Sequence, residues 1–170
     1  MKLRNSRGQL RAMVLLGCAL LVVLGLTVKG WAKEKGDQAP DFSLVDISGN
    51  TVSLSQMQGK VVVVNFFTIW CQPCRHEMPD LNAIYKENKD KGLTIVGICL
   101  NADPNQLKVL VKQLNLDYPV LLGTDKVSKD YGEIVGVPTT FIINKQGQIA
   151  EKITGARKKE EFLQMITPLL

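Results

Sequence analysis

Hydrophobic and polar positions divide the chain into segments of different period. Ala12 to Val28, AMVLLGCALLVVLGLTV, is a run of 17 residues without a charge. As a helix it spans about 25 Å, and Gly30, Trp31 and Ala32 extend it toward the roughly 30 Å of a bilayer core. Lys33 to Ala39, KEKGDQA, is polar and reads as a short linker over 33–37 before a domain that begins at residue 38. Phe42–Asp46 and Thr51–Ser53 flank a turn at Ser48-Gly49-Asn50, which predicts a hairpin. Ser53 or Ser55 caps a short helical turn that ends at Gly59.

The seven residues VVVVNFF, 61–67, form a continuous β-branched and aromatic run, the pattern of a strand buried on both faces. Thr68-Ile69-Trp70 leads into a helix over about Gln72–Asn88, with Pro79 as a kink inside it. Leu93–Leu100 is a second apolar strand. Pro104 opens a helix whose apolar stripe is Leu107, Leu110, Val111 and Leu114. Tyr118–Leu122 reads as a short strand. Thr140–Asn144 and Gln148–Ile153 read as a hairpin around Lys145-Gln146-Gly147. Arg157–Ile166 is a terminal amphipathic helix with Phe162, Ile166 and Leu169 facing in. Strands alternating with helices predict an α/β domain.

Composition narrows the class. Hydrophobic residues make up 45% and charged residues 22% of 170, which excludes collagen-like repeats, a pure coiled coil and long disorder. Four cysteines are too few for a disulfide-stapled scaffold. The net charge of +5 is uneven: Lys2, Arg4, Arg7 and Arg11 supply +4 before residue 12, and the remainder carries 17 basic and 16 acidic side chains. The folded part is nearly neutral, so a nucleic-acid face is not expected.

The four cations before the apolar run predict a cytoplasmic N-terminus and an exported domain. Three readings of the run compete. An uncleaved signal anchor over 12–32 is favoured, because the run exceeds the usual signal-peptide core of about 7–15 residues. A signal peptide cut after Ala32 and a lipoprotein signal ending Leu15-Leu16-Gly17-Cys18 are the others. All three put the domain outside the cytoplasm.

The candidate chemistry lies in Trp70-Cys71-Gln72-Pro73-Cys74, directly after the buried strand and at the start of a helix. Paired thiols at this spacing also occur in zinc sites, but the context points to redox chemistry. A helix N-terminus carries partial positive charge and unpaired N–H groups, so Cys71 there is favoured as the reactive thiolate. Cys74, one turn in, is close enough for a disulfide. Pro73 has no N–H to lose and suits the first turn. Such a pair cycles between dithiol and disulfide through a mixed disulfide with a partner.

Phe66-Phe67-x-x-Trp70-Cys71-x-Pro73-Cys74, Pro79, and Gly136-Val137-Pro138-Thr139-Thr140-Phe141 together resemble a thioredoxin-fold protein over about residues 38–168. Within that superfamily the chain resembles the membrane-anchored TlpA/ResA-like thiol–disulfide oxidoreductases. The pointers are Ala39-Pro40-Asp41-Phe42, Asn65-Phe66-Phe67, Arg75-x-Glu77-Met78-Pro79 and extra strand–helix material before Tyr118.

The resemblance implies a thioredoxin-like α/β fold: a mixed central sheet flanked by helices, with an N-terminal β-hairpin extension and an inserted strand–helix element. A single transmembrane helix precedes it. It implies a cis peptide before Pro138 that frees the backbone of Val137 to pair with an extended substrate. Trp70, from its placement beside Cys71, reads either as core packing or as a lid or contact surface. The resemblance further implies reduction of disulfides in exported proteins such as apocytochrome c, electrons from a membrane thiol–disulfide donor, and no cofactor beyond the Cys71–Cys74 pair. A single tethered monomer is the default.

One position departs from thioredoxin. The buried Asp expected six residues before the first Cys is Asn65, which cannot act as a base. Glu77, at i+3 from Cys74, is the nearest candidate to tune the thiols or to relay protons.

Other readings are weaker. Peroxiredoxins share Ala39-Pro40-Asp41-Phe42, and Thr68 and Cys71 fit the spacing of their peroxidatic motif, but Val64 stands where that motif has Pro. A copper-delivery module needs a distant downstream His, and none exists. A thiol oxidase or isomerase role is the main alternative within the same chemistry. Haem attachment through Cys-x-x-Cys-His fails because Arg75 follows Cys74. His76, the sole histidine, is expected on an exposed helix face, and Cys99 as a buried core thiol. Cys18 is expected to pack or face lipid, and no metal site is expected.

Overall fold

The computed structural model describes residues 33–170. The expected basic segment 1–11 and membrane segment 12–32 lie outside the described residues. Among the described residues no helix is long and apolar enough to cross a membrane.

Strands β1 (Ser43–Val45) and β2 (Thr51–Ser53) form the expected hairpin, a two-stranded antiparallel sheet. Asp46 sets its turn, with Oδ1 accepting from the N–H groups of Ser48 and Asn50. A 3₁₀ turn, Leu54–Met57, follows, with the Ser53 N–H donating to Gln56 Oε1. Strand β3 (Val61–Phe67) is buried along its whole length, and its C-terminal end leads through residues 68–71 into helix α1 (Gln72–Asn88). Strand β4 (Leu93–Cys99), helix α2 (Pro104–Gln113) and strand β5 (Val120–Leu122) come next. The chain continues through helix α3 (Asp125–Asp130), strands β6 (Thr139–Ile143) and β7 (Ile149–Thr154), and helix α4 (Lys159–Ile166).

The five-stranded sheet has the order β5-β4-β3-β6-β7. Strands β3, β4 and β5 are mutually parallel, β6 is antiparallel to β3, and β7 is antiparallel to β6. The fold is a thioredoxin-like α/β fold with a mixed sheet and helices. Alternation along β3 builds both cores. Val61, Val63 and Phe67 pack with Met78, Leu81 and Ile84 of α1, Leu107 and Leu110 of α2, and Phe162 and Ile166 of α4. Val62, Val64 and Phe66 pack on the other face with Phe42, Leu44, Val127 and Tyr131. There the rings of Phe66, Tyr131 and Phe141 meet at centroid distances of 5.0 to 6.0 Å.

Several boundaries differ from the expected ones. Helix α4 begins at Lys159 rather than Arg157, because the Arg157 N–H donates to Glu77 instead of starting the helix. The strand expected from Tyr118 begins at Val120. Leu169 falls in a 3₁₀ turn and is half-buried. Helix α1 runs unbroken through Pro79, whose ring lies on the exposed side. Helix α3 was not expected; Thr124 caps it by accepting from the Val127 N–H.

The segment entering the domain docks along the β6–β7 hairpin. Gly36 N–H donates to Ile149 O, Ile149 N–H to Asp37 O, and Ala39 N–H to Gly147 O. Ion pairs Lys35–Glu151 and Lys152–Glu34 flank these bonds. Register places this attachment at the far end of the sheet: Ile143 pairs with Val62 at the start of β3, whereas Thr139 pairs with Phe66 beside the CxxC end.

Candidate active site

The central strand β3 delivers the chain to the C-terminal end of its parallel strands, and Thr68-Ile69-Trp70 turns it into α1. Cys71 is the N-cap of α1, with extended backbone, and its Sγ accepts from the Cys74 N–H at 3.2 Å. Pro73 occupies the first turn, where no N–H is required. Cys71 and Cys74 form a disulfide with an S–S distance of 2.06 Å and a Cα–Cα distance of 5.3 Å. Cys71 is half-buried and Cys74 is fully buried, so Cys71 is the sulfur that an outside thiol can reach. Its Sγ lies 3.7 Å from Val137 O, an acceptor for the thiol once the disulfide opens.

The peptide between Val137 and Pro138 is cis. Pro138 is buried and Val137 half-buried. Thr139 Oγ1 donates to Gly136 O at 2.8 Å, and the Gly155 N–H donates to Pro138 O at 2.8 Å, which holds the loop against β7. Among the described residues neither N–H nor C=O of Val137 enters a backbone hydrogen bond, which leaves the N–H open to an extended partner while the C=O faces Cys71 Sγ. Trp70 is 76% exposed next to Cys71. Its ring therefore lies outside the core, on the surface beside the disulfide.

Glu77 lies on the inner face of α1, only 2% exposed. Its Oε1 accepts from Asn65 Nδ2 at 2.8 Å and its Oε2 from the Arg157 N–H at 3.2 Å. Burial pushes its carboxyl up to about 7, with nearby Asp80 acting in the same sense. The bonds from Asn65 and Arg157, and the Arg157 charge, oppose that rise. The group is therefore poised between its two charge states at neutral pH. Asn65 Nδ2 also donates to Thr140 Oγ1 at 2.8 Å. Sequence reasoning selected Glu77, noted Asn65 only as a position that cannot act as a base, and missed Thr140 and the Arg157 N–H, which are 75 and 80 residues distant from their partners. Cross-strand pairing of Asn65 with Thr140 is the signal that could have found the first.

The remaining candidates fall outside the site. His76 is exposed. Cys99 is a buried thiol that burial pushes up to about 12, so it stays protonated and unreactive.

Comparison with known proteins places this geometry. The model of the AhpC/TSA family matches residues 35–152. The chain belongs to the AhpC/TSA family. It is 41% identical over 146 residues to the thiol–disulfide oxidoreductase ResA of Bacillus cereus, covering 80% of this chain and 82% of that one. Among solved structures it resembles a thioredoxin-family thiol:disulfide interchange protein from Chlorobium tepidum, with a TM-score of 0.75 and 34% identity over 81% of this chain and 99% of the other. It also resembles a secreted disulfide oxidoreductase of Mycobacterium tuberculosis homologous to DsbE of E. coli. That match has a TM-score of 0.68 and 25% identity over 75% of this chain and 96% of the other. Within the AhpC/TSA family the chain is thus of the ResA type, and its activity is thiol–disulfide oxidoreduction.

Proposed function

We propose that the protein is a membrane-tethered reductase outside the cytoplasm, acting on disulfides of exported proteins, apocytochrome c among them. The observation that carries the reading is the Cys71–Cys74 pair at the α1 N-terminus, with the backbone of Val137 beside it. The secreted state of the mycobacterial relative and the charged, apolar start of this chain support export.

In the reducing direction the Cys71 thiolate, stabilised by the Cys74 N–H and the helix N-terminus, attacks one sulfur of the substrate disulfide. The substrate's other sulfur leaves as thiolate and takes up a proton. Cys74 then loses its proton and attacks Cys71 Sγ, which re-forms the Cys71–Cys74 disulfide and releases the second substrate thiol. Two electrons pass to the substrate, and a membrane thiol–disulfide donor restores the dithiol. Val137 pairs with the substrate backbone, Pro138 shapes the loop, and Trp70 covers the flanking chain. Glu77 accepts or returns the proton of the buried thiol. No cofactor beyond the cysteine pair takes part.

The test is the reduction potential of the pair in the full-length chain. A value near or below about −250 mV supports a reductant, whereas a value near about −120 mV identifies a disulfide-forming oxidant and overturns the reading.

A further inference from the structure

The environment of Glu77 contains an idle acceptor. Asn65 is 0% exposed, and both hydrogens of its Nδ2 are engaged, one by Glu77 Oε1 and one by Thr140 Oγ1, each at 2.8 Å. Its Oδ1 is buried without a partner. This arrangement suits an ionised Glu77, which only accepts. A protonated Glu77 carries an O–H that needs an acceptor. The other group bonded to the carboxyl, the Arg157 N–H, can only donate. With Asn65 unmoved, the neutral acid leaves two buried groups unpaired, its own O–H and Asn65 Oδ1.

Turning the Asn65 amide over gives the acid's O–H an acceptor and moves the unpaired position from Oδ1 to Nδ2. Oδ1 then faces both Glu77 and Thr140, with two lone pairs for two O–H donors. The Thr140 hydroxyl accepts in one orientation and donates in the other. Each orientation leaves one group of Asn65 unpaired, Oδ1 when Glu77 is charged and Nδ2 when it is neutral. Neither orientation is therefore frozen in place. An Asp at position 65 could not donate to the carboxylate, and an aliphatic residue could do neither. The charged and titratable groups around Glu77 are Asp80 on α1, Arg157 before α4 and Tyr118 before β5; β3 and β6 contribute only the neutral Asn65 and Thr140.

We propose that Asn65 is a reversible positioning residue, whose amide donates to ionised Glu77 and turns over to accept from the protonated acid while Thr140 reverses its own bond. The inference rests on the redox reading only for its use, namely that both proton states of Glu77 remain accessible while the thiols exchange protons.

Side-chain amide NMR of the full-length oxidised chain between pH 5 and 9, beside the Glu77 carboxyl carbon, tests it. Both Asn65 amide protons are expected to lose their hydrogen-bonded shifts together as pH falls, at the same midpoint as the Glu77 carbon. In Glu77→Gln neither is expected to move. If only the proton facing Glu77 moves while the one facing Thr140 keeps its position, Asn65 is a fixed donor and the proposal is overturned. A pair that failed to cycle would show in the reduction potential and leave this titration unaffected.

Discussion

Replacing Glu77 with Gln should change how stability depends on pH, and the size follows from the position of the carboxyl. Its ordinary value is 4.5 and burial raises it to about 7 in the folded chain. Below about pH 4.5 both folded and unfolded chains hold the proton. Between 4.5 and 7 the unfolded chain releases it while the folded chain keeps it, so the folded state binds more protons and loses stability as pH rises. Above about pH 7 both are ionised and the dependence levels off. At about 1.4 kcal/mol per unit, the folded chain loses roughly 3 kcal/mol from this group across that window.

Against a total of about 5–15 kcal/mol the loss is large. With a urea slope of about 1–3 kcal/mol per molar, it lowers the midpoint by about 1–3 M. Gln at position 77 does not ionise, so the variant lacks this component. The assay is equilibrium urea unfolding of the oxidised wild type and Glu77→Gln at pH 5 and pH 8. The difference in stability between the two chains should change by about 2–3 kcal/mol between those pH values, in favour of the variant at pH 8. A difference that stays constant within about 1 kcal/mol would refute the argument that burial holds Glu77 protonated.

The sulfur pair and the core packing set further outcomes. Cys74→Ser should leave Cys71 able to attack but unable to be released, so a mixed disulfide with a substrate peptide accumulates on a non-reducing gel, while Cys71→Ser gives none. Phe66→Ala removes a ring packed against Tyr131 and Phe141 and should cost about 3–5 kcal/mol in chemical denaturation without altering the reduction potential. Gly123→Ala places a Cβ 2.8 Å from the Cys99 carbonyl oxygen, and the forced backbone shift should cost about 1–3 kcal/mol, read as a lower unfolding midpoint.

Much of the fold was legible because its strongest signals are local. VVVVNFF has the composition of a strand covered on both faces, and the structure buries every one of its residues. The cysteine pair was legible for the same reason, since strand end, turn and helix start are contiguous in sequence. Helix α3 was not legible: DKVSKD is six residues long, mostly charged, and anchored only by Val127. Its formation depends on the Thr124 cap and on the core that Tyr131 completes, both of which are tertiary facts. The surroundings of Glu77 were half legible. Its helical position marks it as a neighbour of Cys74, but its depth and its partners come from β3, β6 and the segment before α4, which meet only in the folded sheet.

The attachment of residues 36–39 to the β6–β7 hairpin has a mechanical consequence. A pull transmitted through the incoming chain is taken up by three backbone hydrogen bonds acting in concert, at the end of the sheet remote from Cys71. The force path enters the β6–β7 edge and bypasses the α1 N-terminus. A force applied on the N-terminal side of residue 36 therefore loads this edge of the domain without straining the sulfur pair.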